Sequence, residues 1–203
     1  MYPRYVYLIR HTRTAVASGV CYGRSNVALA DTYAQERAAV LRRVREIEPR
    51  IRQIFSSPLD RCLRLATDLA GELQIPLSTD DRLRELDFGT WELQTWEAIQ
   101  NTDGERAAHW MQNFVDVACP AGESYRDLAR RAGDFFAMIT APDGSAHAIA
   151  IVAHGGSIRA LLAHALGFHL EDSFRLEIEY GRVTCLEIQA AGELSARLLY
   201  LNR

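Results

Sequence analysis

Strand-like and helix-like patterns alternate along this chain. Two continuous apolar runs, Tyr5–Ile9 and Ala148–Ala153, are typical of strands that are buried on both faces of a sheet. Segments with helical apolar spacing separate these runs from shorter strand-like stretches. Because such alternation is usual in α/β proteins, the chain is predicted to have an α/β fold.

Capping residues mark where several helices are predicted to begin. Thr32 and Gln35 have the spacing of a capping box, and Ser57 and Pro58 suit the cap and the first position of a second helix. Ser124 is expected to cap another helix. The predicted helices span about 32–47, 58–73, 124–139 and 158–166, and the further predicted strands lie at 53–56, near 77, and as two or three segments within 174–188 and 195–201.

Two stretches lack a regular period. Residues 12–30 are rich in turn-forming residues and are predicted to form a loop. Residues 76–122 contain all three tryptophans, and beyond the strand near 77 we expect a loop through Gly89 and then short helices. This second stretch is predicted to form a cap over the sheet.

Composition narrows the class of protein. A chain of 203 residues, of which 48% are hydrophobic, is large enough for one domain with a single core. The net charge of −3 and the lack of dense basic blocks argue against a nucleic-acid partner. All 23 basic residues are arginine, which excludes a mechanism that needs a Schiff-base or P-loop lysine.

The spacing of potential ligands argues against several kinds of site. The four cysteines are scattered without a C-x-x-C pair, so we expect reduced thiols in a cytoplasmic protein. No H-E-x-x-H or comparable spacing occurs, so no metal site is expected. No apolar run approaches the roughly 18 residues of a membrane span, so no membrane partner is expected.

Two histidines follow the two apolar runs. Arg10 and His11 come directly after the first run, and His154 ends the second, followed by Gly155-Gly156-Ser157 at the start of a helix. Ligands of open α/β sheets bind at the carboxyl ends of strands, and free amides at a helix start bind anions. If the two strands are neighbours, both imidazoles and the Arg10 fork face one oxyanion.

Arg61 adds another cation near the start of the second predicted helix. Two arginines, two imidazoles and helix N-termini suit a doubly charged phosphate better than a carboxylate. A neutral His11 can attack phosphorus and form a phosphohistidine that water then cleaves. The leaving group needs a proton, and Glu85, set beside Leu83 and Leu86, is the candidate to supply it.

Several short motifs then occur in a family order: Arg10-His11, Ser56-Ser57-Pro58 with Arg61, Leu83-Arg84-Glu85-Leu86, Gly122-Glu123-Ser124 and Val152-Ala153-His154-Gly155-Gly156. Together they resemble the histidine phosphatase superfamily, in its phosphoglycerate-mutase-like branch, over nearly the whole chain. The resemblance implies one domain, residues 1–203, with a mixed, mostly parallel central sheet flanked by helices. It also implies a lid that includes about residues 84–125, and no metal or organic cofactor.

The resemblance also assigns roles to residues. The implied catalytic residues are His11 as nucleophile, Glu85 as proton donor, and Arg10, Arg61 and His154 as the phosphate pocket. Candidate substrate-binding residues are Thr14, Tyr22, Gly23, Arg13, Glu123 and the amide of Gly155. Two of these have an alternative interpretation, because Arg13 can be solvated surface and Glu123 can serve only the start of its helix.

The chain departs from the family pattern R-H-G-E-T-x-x-N after the nucleophile. Thr12 and Arg13 replace Gly and Glu, and Ala17 stands where Asn is expected, so the Asn contact to phosphate is missing. Arg13 adds a positive charge near the mouth of the site, which favours a more anionic or differently shaped substrate.

The substrate is less specified than the family. Cys21-Tyr22-Gly23 is similar to a motif of α-ribazole-phosphatase-like members, which remove the phosphate of α-ribazole 5′-phosphate in cobalamin biosynthesis. The predicted function is hydrolysis of a small-molecule phosphomonoester, with this ester as the candidate substrate. A phosphoglycerate mutase, a sugar-bisphosphate phosphatase and a non-catalytic phospholigand-binding protein stay open as alternatives, as does a homodimer.

Overall fold

The computed structural model describes residues 4–141, 147–191 and 193–203. Six strands form one sheet: β1 (Arg4–Arg10), β2 (Gln53–Ser56), β3 (Leu77–Thr79), β4 (Ala148–Ala153), β5 (Val183–Ala191) and β6 (Glu193–Tyr200). Their order across the sheet is β3-β2-β4-β1-β5-β6, and β5 runs antiparallel to both of its neighbours while the other pairs are parallel. The predicted mixed, mostly parallel sheet is therefore confirmed.

Helices cover both faces of this sheet. In the described ranges they are α1 (Tyr33–Arg45), α2 (Asp60–Leu73), α3 (Trp96–Asn113), α4 (Tyr125–Thr140) and α5 (Gly155–Leu166). Helices α1 and α2 pack on one face, and α4 and α5 pack on the other. No helix of the described residues is long and apolar enough to cross a membrane.

Strand β1 is buried on both faces because its side chains alternate between two cores. Val6 and Leu8 pack with residues of α4 and α5, whereas Tyr7 and Ile9 pack with residues of α1 and α2. Strand β4 alternates in the same way. Double burial explains why both strands have continuous apolar sequences rather than an apolar–polar alternation.

The register of β1 and β4 determines where the histidines lie. Arg10 is paired with Ala153 in this parallel ladder, so His11 and His154 leave the sheet side by side. The chain after β1 leads to α1 on one face, and the chain after β4 leads to α5 on the opposite face. Such a divergence opens a crevice at the carboxyl edge, where open α/β sheets bind ligands.

One predicted capping bond and one predicted helix start are wrong, although α1 begins at Tyr33, directly after Thr32, as expected. The Thr32 side chain makes no capping bond to α1, because its hydroxyl donates to the carboxylate of Glu36 at 2.6 Å. Ser57 does not cap α2, which begins at Asp60 after Leu59. Its Oγ accepts from the amide of Leu59 at 3.3 Å and from Nε2 of His154 at 2.8 Å. In both cases the hydroxyl bonds to groups other than the helix amides that a cap would bind. The predicted cap at Ser124 is confirmed as a capping box with the residue three positions on.

One further segment agrees with prediction and another differs. The expected short helices lie at 96–113, as two helical pieces joined at a kink at Asp103, which together we call α3. The segment from 174 to 182 is not a strand, because Leu170–Arg175 forms a 3-10 helix and β5 begins only at Val183. The ring of Phe174 in this 3-10 helix packs at 5.0 Å from the ring of Phe114.

The segment predicted as a lid packs into the larger core. Leu86, Trp91 and Ile99 belong to the same apolar cluster as the inner faces of α4 and α5. Tryptophan rings take part in this packing, and the rings of Trp96 and Trp110 are stacked at a centroid distance of 5.8 Å. The segment therefore contributes to the core as well as covering the carboxyl edge of the sheet.

Candidate active site

A cavity of about 230 Å³ opens at the carboxyl edge of β1 and β4. Basic and acidic groups line part of it, and they include Arg10, His11, Arg61 and Glu85. Apolar side chains line another part: Val20, Leu86, Phe88, Trp96, Tyr125 and Phe174. The cavity therefore combines a cationic site with an apolar wall.

His11 is buried and held in one tautomer. Its Nδ1 lies 2.7 Å from the backbone oxygen of Thr12, and because a carbonyl oxygen only accepts, Nδ1 carries the proton. Burial, and next the charge of Arg61, hold the pKa of His11 well below its usual value. The ring is therefore neutral, and Nε2 carries a lone pair that can attack an electrophile.

His154 fixes the position of Arg61. The centroid of the His154 ring lies 5.2 Å from the centroid of the His11 ring. Nδ1 of His154 accepts from Nε of Arg61 at 3.1 Å, so the remaining nitrogen, Nε2, donates to Ser57 Oγ at 2.8 Å. Burial, and next the charge of Arg61, hold the pKa of His154 well below its usual value. Both ring nitrogens of this neutral imidazole are thus bonded to protein groups.

Arg61 lies in the first turn of α2 and is only 1% exposed. Its two Nη atoms donate to the backbone oxygens of Ser25 and Gly23, at 2.8 and 2.5 Å. With the bond to His154, three anchors fix the plane of the guanidinium group. All three acceptors are neutral, so the positive charge is available to an anion in the cavity.

Arg10 is held between backbone and aromatic groups. Its Nη1 donates to the backbone oxygen of Ile178, and its Cζ lies 3.6 Å from the ring centroid of Tyr180. Its Nε is buried and has no partner among the described residues. A Cβ added to Gly155 would lie 3.4 Å from Arg10 Cζ, so the first amide of α5 is close to this guanidinium group. A buried unpaired donor beside a helix start suits an oxyanion.

The carboxylate of Glu85 caps α5. It accepts from the backbone amides of Gly156 and Ser157, at 2.9 and 3.2 Å, and from its neighbour Leu86 at 3.0 Å. Gly156 and Ser157 belong to the first turn of α5, which begins beside His154. The predicted proton donor is therefore located at the same edge of the cavity as the two imidazoles.

Glu123 does not line the cavity. Its carboxylate pairs with both Nε and Nη2 of Arg131, at 3.1 and 2.5 Å, and accepts from the amide of Asp87 at 3.1 Å. Arg131 also donates to the backbone oxygens of Arg84 and Glu85, at 2.7 and 3.0 Å. The structure therefore places Glu123 in a pair that holds the Glu85 segment, outside the cavity lining.

The other predicted binding residues divide into two groups. Tyr22 and Gly23 line the cavity, and a side chain at Gly23 would overlap the backbone oxygen of Leu86. Arg13 and Thr14 lie outside it: Arg13 is exposed and pairs with a glutamate of α1 at 3.3 Å, and Thr14 forms an isolated bridge in the loop after β1. Loop geometry, which sequence spacing does not determine, separates the two groups.

Tyr180 contacts the site although no sequence motif indicated it. Its ring lies 5.4 Å from the ring of His11, and its hydroxyl lies 3.1 Å from that of Tyr22. Burial, and next the hydrogen bond with Tyr180, raise the pKa of Tyr22 to about 12. Arg159 was not predicted either; it lines the cavity, with its Cζ 5.1 Å from the ring of Phe174. Both belong to segments whose positions depend on tertiary packing.

Comparison with known proteins places these residues in a family context. The profile of the histidine phosphatase superfamily (branch 1) matches residues 6–199. The bifunctional protein Rv2228c of Mycobacterium tuberculosis is 30% identical over 200 residues, a match that covers 97% of this chain and 54% of that protein.

Two solved structures have the same fold. A mycobacterial glucosyl-3-phosphoglycerate phosphatase superposes with a TM-score of 0.86 at 25% identity, covering 99% of both chains. The α-ribazole phosphatase of Shigella flexneri superposes with a TM-score of 0.89 at 22% identity, covering 98% of this chain and 96% of that one.

Proposed function

Because this chain belongs to the histidine phosphatase superfamily (branch 1), we propose that it hydrolyses a small-molecule phosphomonoester through a phosphohistidine on His11. One observation carries the proposal. The Thr12 carbonyl, 2.7 Å from Nδ1, leaves the lone pair of a neutral His11 on Nε2. Two arginines whose bonded partners are neutral line the same cavity.

In the first step, Nε2 of His11 attacks phosphorus, and the bond between phosphorus and the ester oxygen breaks. Glu85 gives a proton to the leaving oxygen and becomes the carboxylate that the amides of Gly156 and Ser157 stabilise. Arg10, Arg61 and the amide of Gly155 stabilise the charge on the phosphoryl oxygens. His154 keeps the Arg61 fork oriented through the bond at 3.1 Å.

In the second step, water attacks the phosphorus of phosphohistidine and the phosphorus–nitrogen bond breaks. The Glu85 carboxylate takes a proton from this water, so inorganic phosphate leaves and His11 is regenerated in its neutral form. The second step returns to Glu85 the proton that it gave in the first step. The whole reaction therefore consumes only the ester and one water.

The apolar wall supports an aromatic leaving group. Phe88, Trp96 and Phe174 line the cavity together with Arg10 and His11. Aromatic walls bind planar apolar groups, and α-ribazole 5′-phosphate carries an aromatic base. We therefore propose this ester, or one with a similar base, as the substrate. Phosphoglycerate, which has no apolar part, suits the wall poorly.

Trapping the intermediate tests the reaction. The protein is mixed with a radiolabelled phosphate ester, and we expect label that survives a base quench and is lost in acid. His11→Asn should hold no label and release no phosphate, whereas the control His109→Asn, at an exposed position of α3, should behave as the wild type. Phosphate release by His11→Asn at the wild-type rate would contradict the proposal.

A substrate panel tests the finer assignment. We expect phosphate release from α-ribazole 5′-phosphate with a higher kcat/KM than from 3-phosphoglycerate, fructose bisphosphate or p-nitrophenyl phosphate. Transfer between phosphoglycerate isomers would instead support a mutase. Tight phosphate binding without turnover of any ester would support a phospholigand-binding protein.

A further inference from the structure

A second cavity, of about 460 Å³, adjoins the catalytic one. Arg10 and Arg159 line both cavities, whereas Tyr180 lines only the second. Its remaining walls come from one face of α1, the loop after β1 and residues 177–182. We refer to this space as the outer cavity.

Arginine is the commonest residue in the outer cavity, which is lined by five arginines and three glutamates. Arg13 pairs with Glu36 at 3.3 Å, and Arg182 pairs with Glu179 at 3.4 Å. The remaining arginines, Arg10, Arg43 and Arg159, have no ion pair with a carboxylate in the part of the chain that the structure describes. The outer cavity therefore has more cationic than anionic groups.

Arg43 is a partly buried cation of the outer cavity with other arginines nearby. It is half-buried on α1, one helical turn beyond the lining residue Ala39. Burial, and next the charges of Arg182 and Arg42, lower the pKa of Arg43. A cation that is partly desolvated beside like charges gains stability from a bound anion.

We propose that the outer cavity is a second anion site, which binds a phosphate or carboxylate group other than the one that reacts at His11. Arg43 and Arg182 supply charge that belongs to this site alone. Arg10 and Arg159 connect it to the catalytic cavity, because both side chains line both spaces.

The bound phosphate or carboxylate group can belong either to the substrate itself or to a separate, free anion. A distal anionic group of the substrate would add binding energy without the cost of a second association, so it would raise kcat/KM. A free anion would share Arg10 and Arg159 with the substrate phosphate and would raise KM. The experiment below distinguishes these sources.

Equilibrium dialysis with radiolabelled inorganic phosphate counts the sites without turnover, so its outcome does not depend on the proposed reaction. We expect two bound phosphates per wild-type chain at saturation and one in Arg43→Gln. The control Arg42→Gln removes the neighbouring exposed charge, which does not line the cavity, and should still bind two. Arg182→Gln is an independent second variant and should also bind one.

Kinetics then identifies the source of the anion. If the anion belongs to the substrate, Arg43→Gln should lower kcat/KM about 3- to 10-fold for fructose bisphosphate and leave p-nitrophenyl phosphate unchanged. If it is free, the two substrates should respond equally, while two phosphates still bind to the wild type. The proposal would be overturned if the wild type bound one phosphate and Arg43→Gln changed kcat/KM equally for the two substrates. It would also be overturned if Arg43→Gln still bound two phosphates.

Discussion

Replacing Arg61 by lysine tests the catalytic cavity while preserving the net charge. Arg61 donates to Nδ1 of His154 and to the backbone oxygens of Ser25 and Gly23. A lysine ammonium group has no planar fork, so it cannot keep all three bonds and still face a phosphoryl oxygen. Loss of one preorganised oxyanion donor costs about 3–4 kcal/mol, so kcat/KM should fall about 100- to 1,000-fold.

Stability should change less than activity. Three buried hydrogen bonds contribute about 1 kcal/mol each, and lysine retains one of them, so the unfolding free energy should fall by about 2 kcal/mol. For a chain of this size, that loss lowers the Tm by about 4–8 °C. Steady-state phosphate release and a thermal melt of the same samples measure both quantities.

A matched control tests whether the effect of Arg61→Lys is specific to that position of α2. Arg64 lies three residues further along α2, is 64% exposed and pairs with Asp68 at 3.6 Å. Arg64→Lys should therefore leave both activity and Tm at their wild-type values. If Arg61→Lys kept kcat/KM within about threefold of the wild type, the geometry assigned to Arg61 would be refuted.

Three further predictions concern the surroundings of the site. Because burial keeps His11 and His154 neutral in the folded protein, while unfolded histidines gain protons below about pH 6.5, acidification should lower the unfolding free energy. Between about pH 7 and pH 5.5 the two histidines should lower the free energy of unfolding, measured in urea, by about 2.5 kcal/mol. His11→Asn should halve this loss. An unchanged pH dependence in that variant would contradict a neutral His11 ring. Gly23→Ala should destabilise the protein by about 1–3 kcal/mol because its methyl overlaps a backbone oxygen, whereas Gly71→Ala, with open space around it on α2, should stabilise it by about 0.5–1 kcal/mol in the same denaturation assay. Arg131→Lys should lower kcat at least about tenfold, because lysine cannot hold every carbonyl and carboxylate that Arg131 binds, and an unchanged kcat would show that the loop needs no such support.

Sequence patterns predicted most helices and strands, because these features depend on residues that are close together in the sequence. The predicted strand at Ala148–Ala153 has the bounds of β4, and the predicted cap at Ser124 precedes α4. Continuous apolar runs and capping boxes depend on neighbouring residues, so they are visible without a structure. The failed caps at Thr32 and Ser57 show the limit of this approach, because each hydroxyl found another partner.

The site shows the same division. Arg10, His11, Arg61, Glu85 and His154 were all predicted, and the structure brings them to one edge of the sheet. Tyr180 was not predicted, because its only signal is a position between a 3-10 helix and β5 that packing determines. Glu123 was predicted as a candidate substrate-binding residue. In the structure its carboxylate forms an ion pair with Arg131, which lies in α4.

Local sequence thus specified the two buried strands that end at the site, most of the helices and the residue types that suit phosphate chemistry, since these depend on short-range periodicity and on side-chain chemistry. The pairing of β1 with β4, the tautomer of His11 and the arginine-lined outer cavity required the folded chain. Each of these joins residues that are far apart in sequence or depends on the direction of a single hydrogen bond. Periodicity carries no information about either, and only tertiary packing determines them.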